Sequence, residues 1–174
     1  MNGQQHLELD VRRQIYNCIA ESPGLHFREI QRRTNLATGS LDYHIHFLYK
    51  NGLIRTERDK NYVRYYPLTR NWTEEEKDML NLLRNNKMRH ILIFLIESKK
   101  STPLKISEAT GISLSTLSWY LKQLQTKGTI TQKKKGRFRI YRVANKEIII
   151  KYLVVHKDSF LDIVVDRFIE TWGF

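Results

Sequence analysis

The sequence predicts a mainly α fold with small β-hairpins (α+β), in which one folding unit is used twice. The first observation behind this prediction is an internal repeat, because a shift of 76 residues places residues 13–68 over residues 89–144 without a gap. The second is that both copies carry apolar residues first at helical spacing and then at strand spacing. A gap-free repeat of this kind indicates one supersecondary unit that occurs twice.

Eleven of the 56 aligned positions are identical, and several other pairs are apolar in both copies. The identical residues include predicted core positions and a glycine at a predicted helix end. The identical pairs are Arg13/Arg89, Ile15/Ile91, Glu21/Glu97, Ser22/Ser98, Ile30/Ile106, Thr34/Thr110, Leu41/Leu117, Leu48/Leu124, Gly52/Gly128, Ile54/Ile130 and Tyr65/Tyr141.

The first copy is predicted to form three helices followed by a β-hairpin. Leu41, Ile45 and Leu48 recur at helical spacing and form the expected buried stripe of the third helix. Thr38 is the expected N-cap of that helix, since a hydroxyl oxygen can accept a bond from a free backbone N–H, and Gly52 is a typical helix terminator. The predicted helices cover residues 10–21, 26–34 and 38–51, and the predicted strands cover residues 53–58 and 62–68.

The second copy follows the same order. Ser113 is the expected N-cap of its third helix, and Leu117, Leu121 and Leu124 form the buried stripe. Two helices joined by a short turn, the second of which faces outward, form a helix-turn-helix, and a following hairpin makes the unit a winged helix. The predicted helices cover residues 87–98, 103–110 and 114–127, and the predicted strands cover residues 129–135 and 137–143.

Two segments carry a resemblance to a known family, and they read HFREIQRRTNLATGSLDYHIHFLYKNGLI and LKISEATGISLSTLSWYLKQLQTKGTI. They resemble the helix-turn-helix of prokaryotic winged-helix transcription regulators of the ArsR/MarR-like superfamily. Two such units in one short chain, the first with a His-Phe-Arg-Glu-Ile segment, are similar to archaeal tandem winged-helix regulators, and within that group to the regulators of archaellum (motility) operons. The resemblance covers residues 10–144 and implies DNA binding.

Four segments differ in composition and charge. We predict an N-terminal winged helix-turn-helix domain (residues 1–70), a helical linker (71–86), a C-terminal winged helix-turn-helix domain (87–144) and a C-terminal helical segment (145–174). The net charge of +12 is concentrated in the second copy, since residues 86–144 carry 13 Lys/Arg and 2 Asp/Glu. Localised basic charge indicates a polyanionic partner, most often nucleic acid. A basic surface that only aids solubility is the alternative.

The outward faces of the two third helices hold the candidate base contacts. Serine and threonine hydroxyls can bond base edges or phosphates. Tyr43 and Trp119 occupy aligned positions, where DNA could cover an exposed ring; packing against a wing or another domain is the alternative. The candidate base-contact residues are Ser40, Tyr43, His46, Ser115, Thr116, Trp119 and Lys122.

The hairpin of the second copy is the most specific electrostatic feature, because the segment KKKGRFRIYR holds six basic residues in ten. Strand alternation is expected to place Phe138, Ile140 and Tyr141 between the charges. Such a wing can follow the phosphate backbone or enter the minor groove, where arginine is favoured, whereas lysines that protect a solvated sheet edge explain only part of the charge. The first wing is a weaker version, diluted by Glu57 and Asp59. The candidate DNA-backbone residues are Arg28, Arg32, Thr38, Lys50, Arg58, Lys60, Arg64, Ser113, Lys133, Lys134, Lys135, Arg137 and Arg139.

The patterns of catalytic and metal sites are missing from the sequence. Cys18 is the only cysteine, which argues against a disulfide framework or a thiolate zinc site within one chain. His44 and His46 are two residues apart and face different sides of a helix, unlike the i, i+4 pair that chelates a metal. We interpret His44 as structural or phosphate-contacting. We therefore expect no enzyme, no catalytic residue, no metal and no cofactor. Small-ligand sensing stays open because an apolar pocket leaves no motif.

The segments outside the repeat are both predicted to be helical. Thr73 and Glu76 form an expected capping box at the start of the linker helix, which would join the domains rigidly. Residues 145–174 are strongly apolar and either cap the domain cores or form a homodimer interface. A helix that restarts near Asp158 or Ser159 is expected to direct five residues inward. These residues are Leu161, Val164, Val165, Phe168 and Trp172.

Together these features predict a sequence-specific, double-stranded DNA-binding transcription regulator of promoters, with recognition helices in the major groove and basic wings on the backbone or minor groove. No apolar run approaches the roughly 18 residues of a membrane span, and the N-terminus has no signal pattern, so we expect a cytoplasmic protein without a membrane partner. The alternative is a protein-binding adaptor of the archaeal transcription machinery, since fold alone does not fix function. RNA binding is permitted by the charge, but no RNP-like aromatic motif supports it.

Overall fold

The computed structural model describes residues 3–59, 62–69 and 71–172, with side chains from Leu9 onward. Within this range the chain divides into two compact units, one ending at Lys77 and the other beginning at Asp78. Each unit contains a helix-turn-helix followed by a β-hairpin, which confirms the predicted mainly α fold with two tandem winged helices. None of the described helices is long and apolar enough to cross a membrane.

The first unit packs three helices against a small antiparallel sheet. Its elements are α1 (Gly3–Glu21), β1 (Leu25–His26), α2 (Phe27–Thr34), α3 (Thr38–Lys50), β2 (Ile54–Asp59), β3 (Tyr62–Pro67) and the start of α4 (Glu74–Arg84). The strand order is β1-β3-β2. Ile15 and Ile19 of α1 are fully buried in one cluster with Leu41, Ile45 and Leu48 of α3. The inward stripe predicted for α3 is therefore correct, and the opposite face of α3 is left outward.

The second unit repeats this arrangement and adds a helical tail. Its elements after α4 are α5 (Asn86–Glu97), α6 (Pro103–Thr110), α7 (Leu114–Thr126), β4 (Ile130–Lys135), β5 (Phe138–Val143), α8 (Lys146–Val155), α9 (Lys157–Phe160) and α10 (Ile163–Trp172). Ile91 of α5 and Leu117, Leu121 and Leu124 of α7 are buried in its core. The tail joins the same core through buried Leu153 and residues of α10.

Backbone pairing shows that the two copies share more than their helices. In the first unit β1 pairs with β3 at Leu25 and Tyr65. At the aligned positions of the second unit, Ser101 and Tyr141 form an isolated bridge, with N–H to O=C bonds of 2.9 and 2.8 Å in the two directions. A third strand position therefore supports the wing in both units.

The inward face predicted for the end of the chain is partly wrong. Val165 and Phe168 are buried and Val164 is half-buried, as expected. Leu161, however, is 75 % exposed, and Trp172 keeps 37 % of its surface exposed. The reason at Leu161 is the backbone: its φ of 50° is left-handed, so the residue ends α9 and turns outward before α10 begins.

A buried ion pair fastens the tail to α5, and sequence reasoning did not find it. Arg89 is 3 % exposed, and its guanidinium donates to the Asp162 carboxylate through Nε at 2.8 Å and also through Nη2. The same guanidinium donates to the Leu83 carbonyl at 2.6 Å, and the His90 ring lies 2.8 Å from Asp162. Burial alone would raise the pKa of Asp162, but the bonds from Arg89, the Val164 N–H and His90 outweigh burial and lower it.

Candidate nucleic-acid interface

The turn between the second and third helices is held by the same device in both units. Asn35 takes a left-handed conformation (φ 54°, ψ 32°), and Gly111 does so at the aligned position with φ 67°. Gln31 donates to the Leu36 carbonyl across the first turn at 3.3 Å. Ser107, aligned with Gln31, donates to the carbonyl aligned with that of Leu36 at 2.6 Å. These bonds fix the orientation of α3 relative to α2 and of α7 relative to α6. They therefore determine which face of each third helix points outward.

The outward face of α3 combines an aromatic ring with two basic or titratable side chains. Tyr43 is 56 % exposed, and His46 and Lys50 are exposed beside it, while Ser40 is half-buried. His44 is 5 % exposed, and its ring meets the ring of Tyr43 edge-on at 5.0 Å. The sequence left two roles open for His44, structural or phosphate-contacting. Its burial favours the structural role.

The outward face of α7 begins with a group of hydroxyls. The Ser113 hydroxyl donates to that of Thr116 at 3.0 Å and lies 3.3 Å from that of Ser115. Trp119 is 54 % exposed and contacts the edge of the Tyr120 ring at 4.9 Å. Packing thus covers Trp119 only in part. Lys122 is exposed one turn further along.

The N-caps predicted for these two helices need correction. Ala37, not Thr38, is the N-cap of α3, and the Thr38 hydroxyl instead accepts a 2.9 Å bond from Gln31. Ser113 does occupy the N-cap position of α7, but its hydroxyl accepts no bond from a backbone N–H and instead donates to the Thr116 hydroxyl. Thr38 and Ser113 remain exposed at the start of the two helices.

The wing of the second unit carries its charge unpaired. Lys133, Lys134, Lys135, Arg137 and Arg139 are exposed, and none of them forms an ion pair with another described residue. Lys134 faces Arg139 across the hairpin, so two like charges lie directly opposite one another. Such a pair is destabilising unless an anion neutralises it.

Strand register decides which side of this wing carries apolar residues. Lys133 pairs with Ile140 and Lys135 pairs with Phe138, so these four side chains share one face, as alternation predicted. Tyr141 does not join them. It lies on the other face, 4 % exposed, and donates to Gln132 at 2.9 Å. Tyr141 therefore belongs to the core, although it shares its face of the hairpin with Lys134 and Arg139 nearer the tip.

The wing of the first unit neutralises much of its own charge. Arg64 was a candidate backbone contact, but only 11 % of its side chain is exposed, and it donates to Asp59 at 3.2 Å and to the Gly24 carbonyl at 3.1 Å. Arg55 lies 3.4 Å from Glu57, which also accepts a 2.7 Å bond from Lys77. Arg64 is therefore removed from the candidate set.

Lys77 is the basic end of this network. Burial alone would lower the pKa of its ammonium, but hydrogen bonds to Glu57 and Glu74 outweigh burial and raise the pKa. Of the other candidates on this wing, Arg58 is exposed, and Lys60 lies outside the described residues.

The second helix of the first unit begins with a capping box that sequence reasoning missed. His26 is its N-cap: its ring Nδ1 accepts from the Glu29 N–H at 3.4 Å, and its own N–H donates to the Glu29 carboxylate at 3.0 Å. The signal was present, since His26 and Glu29 have the spacing of a capping box, with histidine in the place of serine or threonine. Arg28 and Arg32, candidate backbone contacts, lie exposed on this helix.

Family models match both units. Residues 9–80 match a model described as an N-terminal HTH domain, and residues 84–131 match one described as a winged helix-turn-helix DNA-binding domain. The chain carries two helix-turn-helix domains in tandem.

One curated relative and two solved structures resemble this tandem protein. The chain is 30 % identical over 147 residues to an uncharacterized HTH-type transcriptional regulator of Methanocaldococcus jannaschii, which covers 82 % of this chain and 35 % of the relative. The chain thus spans about a third of that relative's length. The transcriptional repressor BigR of Xylella fastidiosa is 18 % identical over 47 % of this chain and 85 % of its own, with a TM-score of 0.42. ZitR of Lactococcus lactis, solved in complex with DNA, is 20 % identical over 72 % and 78 %, with a TM-score of 0.37.

The described side chains do not form a metal-binding group. Among the described side chains, no three histidines, cysteines or acidic residues are grouped so that they could hold a metal ion. The described surface offers hydroxyls and aromatic rings on the outward faces of α3 and α7. It also offers exposed cations on the wing of the second unit.

Proposed function

We propose that the protein is a sequence-specific, double-stranded DNA-binding transcription regulator. The observation that carries the proposal is the wing of the second unit, where five basic side chains are exposed without an ion-pair partner among the described residues, next to an outward helix of hydroxyl and aromatic side chains. Phosphate binding releases counterions and satisfies such charges. Hydroxyls and rings on α7 and α3 then supply contacts to base edges in the major groove.

The two units contribute unequally in this proposal. The second unit holds the backbone through Lys133, Lys134 and Lys135, and the first unit, whose wing is largely neutralised by its own acids, adds discrimination through Tyr43 and His46. We propose the archaellum operons as the protein's targets, because the sequence resembles the regulators of those operons. A genome-wide binding profile tests both ideas: peaks at motility promoters support them, and a profile without discrete peaks contradicts sequence-specific binding.

Replacing Thr116 by alanine is expected to relax sequence preference more than it weakens binding overall. A base contact carries discrimination of about 1–3 kcal/mol per base pair, while phosphate contacts carry affinity for any sequence. The measurement is competition between the selected site and random duplex, followed by fluorescence anisotropy. Thr126→Ala is the matched control, because Thr126 is an exposed threonine at the far end of the same helix. Equal loss of specific and random binding in Thr116→Ala would exclude a base contact.

We also propose that the tail forms a homodimer. Leu161, Ile163 and Val155 are the most exposed large apolar side chains of the described chain, at 75, 72 and 64 %. Val155 also lines a groove of about 310 Å³, together with Glu147, Ile150, Lys151 and Val154. Exposed apolar side chains next to an apolar groove suit a second copy, because a two-fold contact places the side chains of one copy in the groove of the other.

Leu161→Asn is expected to convert a dimer into a monomer in light scattering after size exclusion. Asparagine tolerates the left-handed backbone at this position, so loss of the dimer cannot be assigned to backbone strain. Leu104→Gln, an equally conservative change at an apolar side chain that is 57 % exposed elsewhere in the unit, should leave the dimer intact. A wild-type protein that stays monomeric at high micromolar concentration would reject the proposal.

One observation favours a second function for the first unit. Its wing pairs Arg55 and Arg64 with its own acids, which reduces the free positive charge available for phosphate. A protein-binding adaptor of the transcription machinery would need less such charge. If binding assays show no discrimination between genomic fragments and competitor DNA, this function is favoured over the first.

A further inference from the structure

The first unit contains an open groove of about 950 Å³ between α2 and the tip of β3. This volume is within the range of small-ligand sites, which is about 300–1,000 Å³. One wall is α2, which contributes Arg28 and Arg32 one turn apart. The other is β3, which contributes Tyr62 and Val63. The groove lies wholly within one unit, so its shape depends on that unit alone.

The α2 wall is positively charged and lacks internal neutralisation. Arg28 and Arg32 are exposed, and neither forms a hydrogen bond or ion pair with another described residue. The one nearby acid of this helix, Glu29, is engaged by His26 and Arg64. None of the residues that line the groove carries a carboxylate. Two guanidinium groups at i, i+4 spacing can therefore both reach one anion.

The β3 wall offers a flat ring and an open strand edge. The ring of Tyr62 is stacked on that of His26, with centroids 4.9 Å apart and planes at 14°, and the Arg64 guanidinium lies 5.4 Å from its centroid. Even so, 51 % of Tyr62 remains exposed. β1 ends at His26, so Tyr62 and Val63 have no pairing partner on that side among the described strands. A planar ring can pack on Tyr62, and backbone groups at the open edge can meet its polar atoms.

The second unit acts as an internal comparison, because it keeps the same skeleton without this site. Leu104 and Glu108 stand at the positions aligned with Arg28 and Arg32, and Arg139 stands at that of Val63. On α6, the helix equivalent to α2, an apolar leucine thus replaces Arg28 and a negative charge replaces Arg32. Phe138 stands at the position of Tyr62, so the aromatic residue is kept and the cationic wall is what distinguishes the first copy.

We propose that this groove binds a small anionic ligand that carries a planar ring, of the size and chemistry of a nucleoside monophosphate. Arg28 and Arg32 hold the anion, and the ring packs on Tyr62. A concave site between a cationic and an aromatic wall suits such a ligand. The proposal concerns a ligand other than DNA, and it stands whether or not the protein regulates transcription.

The test is calorimetric titration of the full chain, without DNA, with AMP and separately with inorganic phosphate. We expect AMP to bind about 5- to 150-fold more tightly than phosphate, since packing of a base on an aromatic ring contributes about 1–3 kcal/mol. Arg32→Glu, which installs the charge that the second copy has, and Tyr62→Ala should each weaken AMP binding by about tenfold or more. Arg13→Glu, the same charge change on α1 outside the groove, should alter it less than about twofold.

Three results would overturn the proposal. AMP binding no tighter than phosphate binding would exclude packing of the ligand's ring on Tyr62. Equal effects of Arg32→Glu and Arg13→Glu would exclude the groove as the binding site. An absence of AMP binding together with weaker duplex binding by Arg32→Glu would assign the two arginines to DNA. Thermal melting of each variant by circular dichroism verifies that the unit is folded, and Tyr62→Phe, which keeps the ring, should retain AMP binding.

Discussion

Neutralising the wing of the second unit is expected to make DNA binding much less dependent on salt. When Lys133, Lys134 and Lys135 are all changed to glutamine, the slope of log affinity against log salt concentration should become shallower by up to about three units. Each lysine that contacts a phosphate releases about one counterion, so three lost contacts remove about three ions from the equilibrium. The measurement is anisotropy titration of a short labelled duplex of mixed sequence over a series of salt concentrations.

The control removes the same charge from elsewhere in the unit. Lys87, Lys100 and Lys157 are exposed and lie outside the wing and the recognition helix. Their joint change to glutamine lowers the net charge equally but should leave the slope nearly unchanged, because charges beyond about one Debye length are screened at 0.15 M salt. If both triple variants flatten the slope alike, the effect belongs to total charge, and the wing is not the contact.

The duplicated skeleton could be predicted because it is encoded locally. The stripes Leu41–Ile45–Leu48 and Leu117–Leu121–Leu124 repeat at 3.6 residues per turn, and periodicity of that kind reports burial without knowledge of partners. The N-cap of α3 was misassigned because residue type was given more weight than the repeat register. Thr38 looked like a capping residue by type, but the repeat register aligns Ala37, and not Thr38, with Ser113. The repeat itself held the better signal.

The candidate site could be predicted only to the extent that exposure follows from helix periodicity. Arg64 appeared free in the sequence, yet it is engaged by Asp59 and by the carbonyl of Gly24, which is 40 residues away along the chain. The face on which Tyr141 lies depends on the register of the hairpin. The acids of the first wing, Asp59 among them, could be counted from the sequence, whereas the bond from Arg64 to Gly24 leaves no trace in the local pattern.

The anchor of the tail was unpredictable for the same physical reason. Arg13 and Arg89 are identical in the repeat, but Arg13 is exposed, and Arg89 is buried against Asp162, 73 residues away. Asp162 lies beyond the repeat, so the first copy has no counterpart to it. A buried guanidinium needs a carboxylate, and its burial could not be inferred before the tail was placed.

Asp162→Asn is expected to destabilise the second unit by about 3 kcal/mol or more, because it leaves the Arg89 charge buried without its partner. The change is selective. Asparagine keeps an oxygen that can accept from the Val164 N–H, as Asp162 does at 3.0 Å, so the cap of α10 is retained while the charge is lost. Chemical denaturation followed by tryptophan fluorescence measures the free energy of unfolding, with Trp72 of the first unit replaced by phenylalanine in every variant so that Trp119 and Trp172 report on the second unit. Asp78→Asn breaks the exposed pair with Lys127 and should cost about 0–1 kcal/mol.

A second variant separates the unpaired charge from other causes of instability. Adding Arg89→Met to Asp162→Asn removes the buried cation as well, and an apolar residue of similar length can occupy the site at little cost. We expect the double variant to be more stable than Asp162→Asn alone. If it is less stable, the single variant has lost packing and not charge compensation, and the ion pair is not what holds the tail.

The pH dependence of the free energy of unfolding is an independent test of the Arg89–Asp162 pair. The pKa of Asp162 is lower in the folded protein than in the unfolded chain, so the carboxylate adds stability above its ordinary pKa of about 4. That contribution is lost as the pH falls through the folded pKa, when the carboxyl group becomes protonated. The gap in unfolding free energy between wild type and Asp162→Asn should therefore be full at neutral pH and narrow in acid. A gap that stays constant down to acid pH would show that the Asp162 charge does not stabilise the fold.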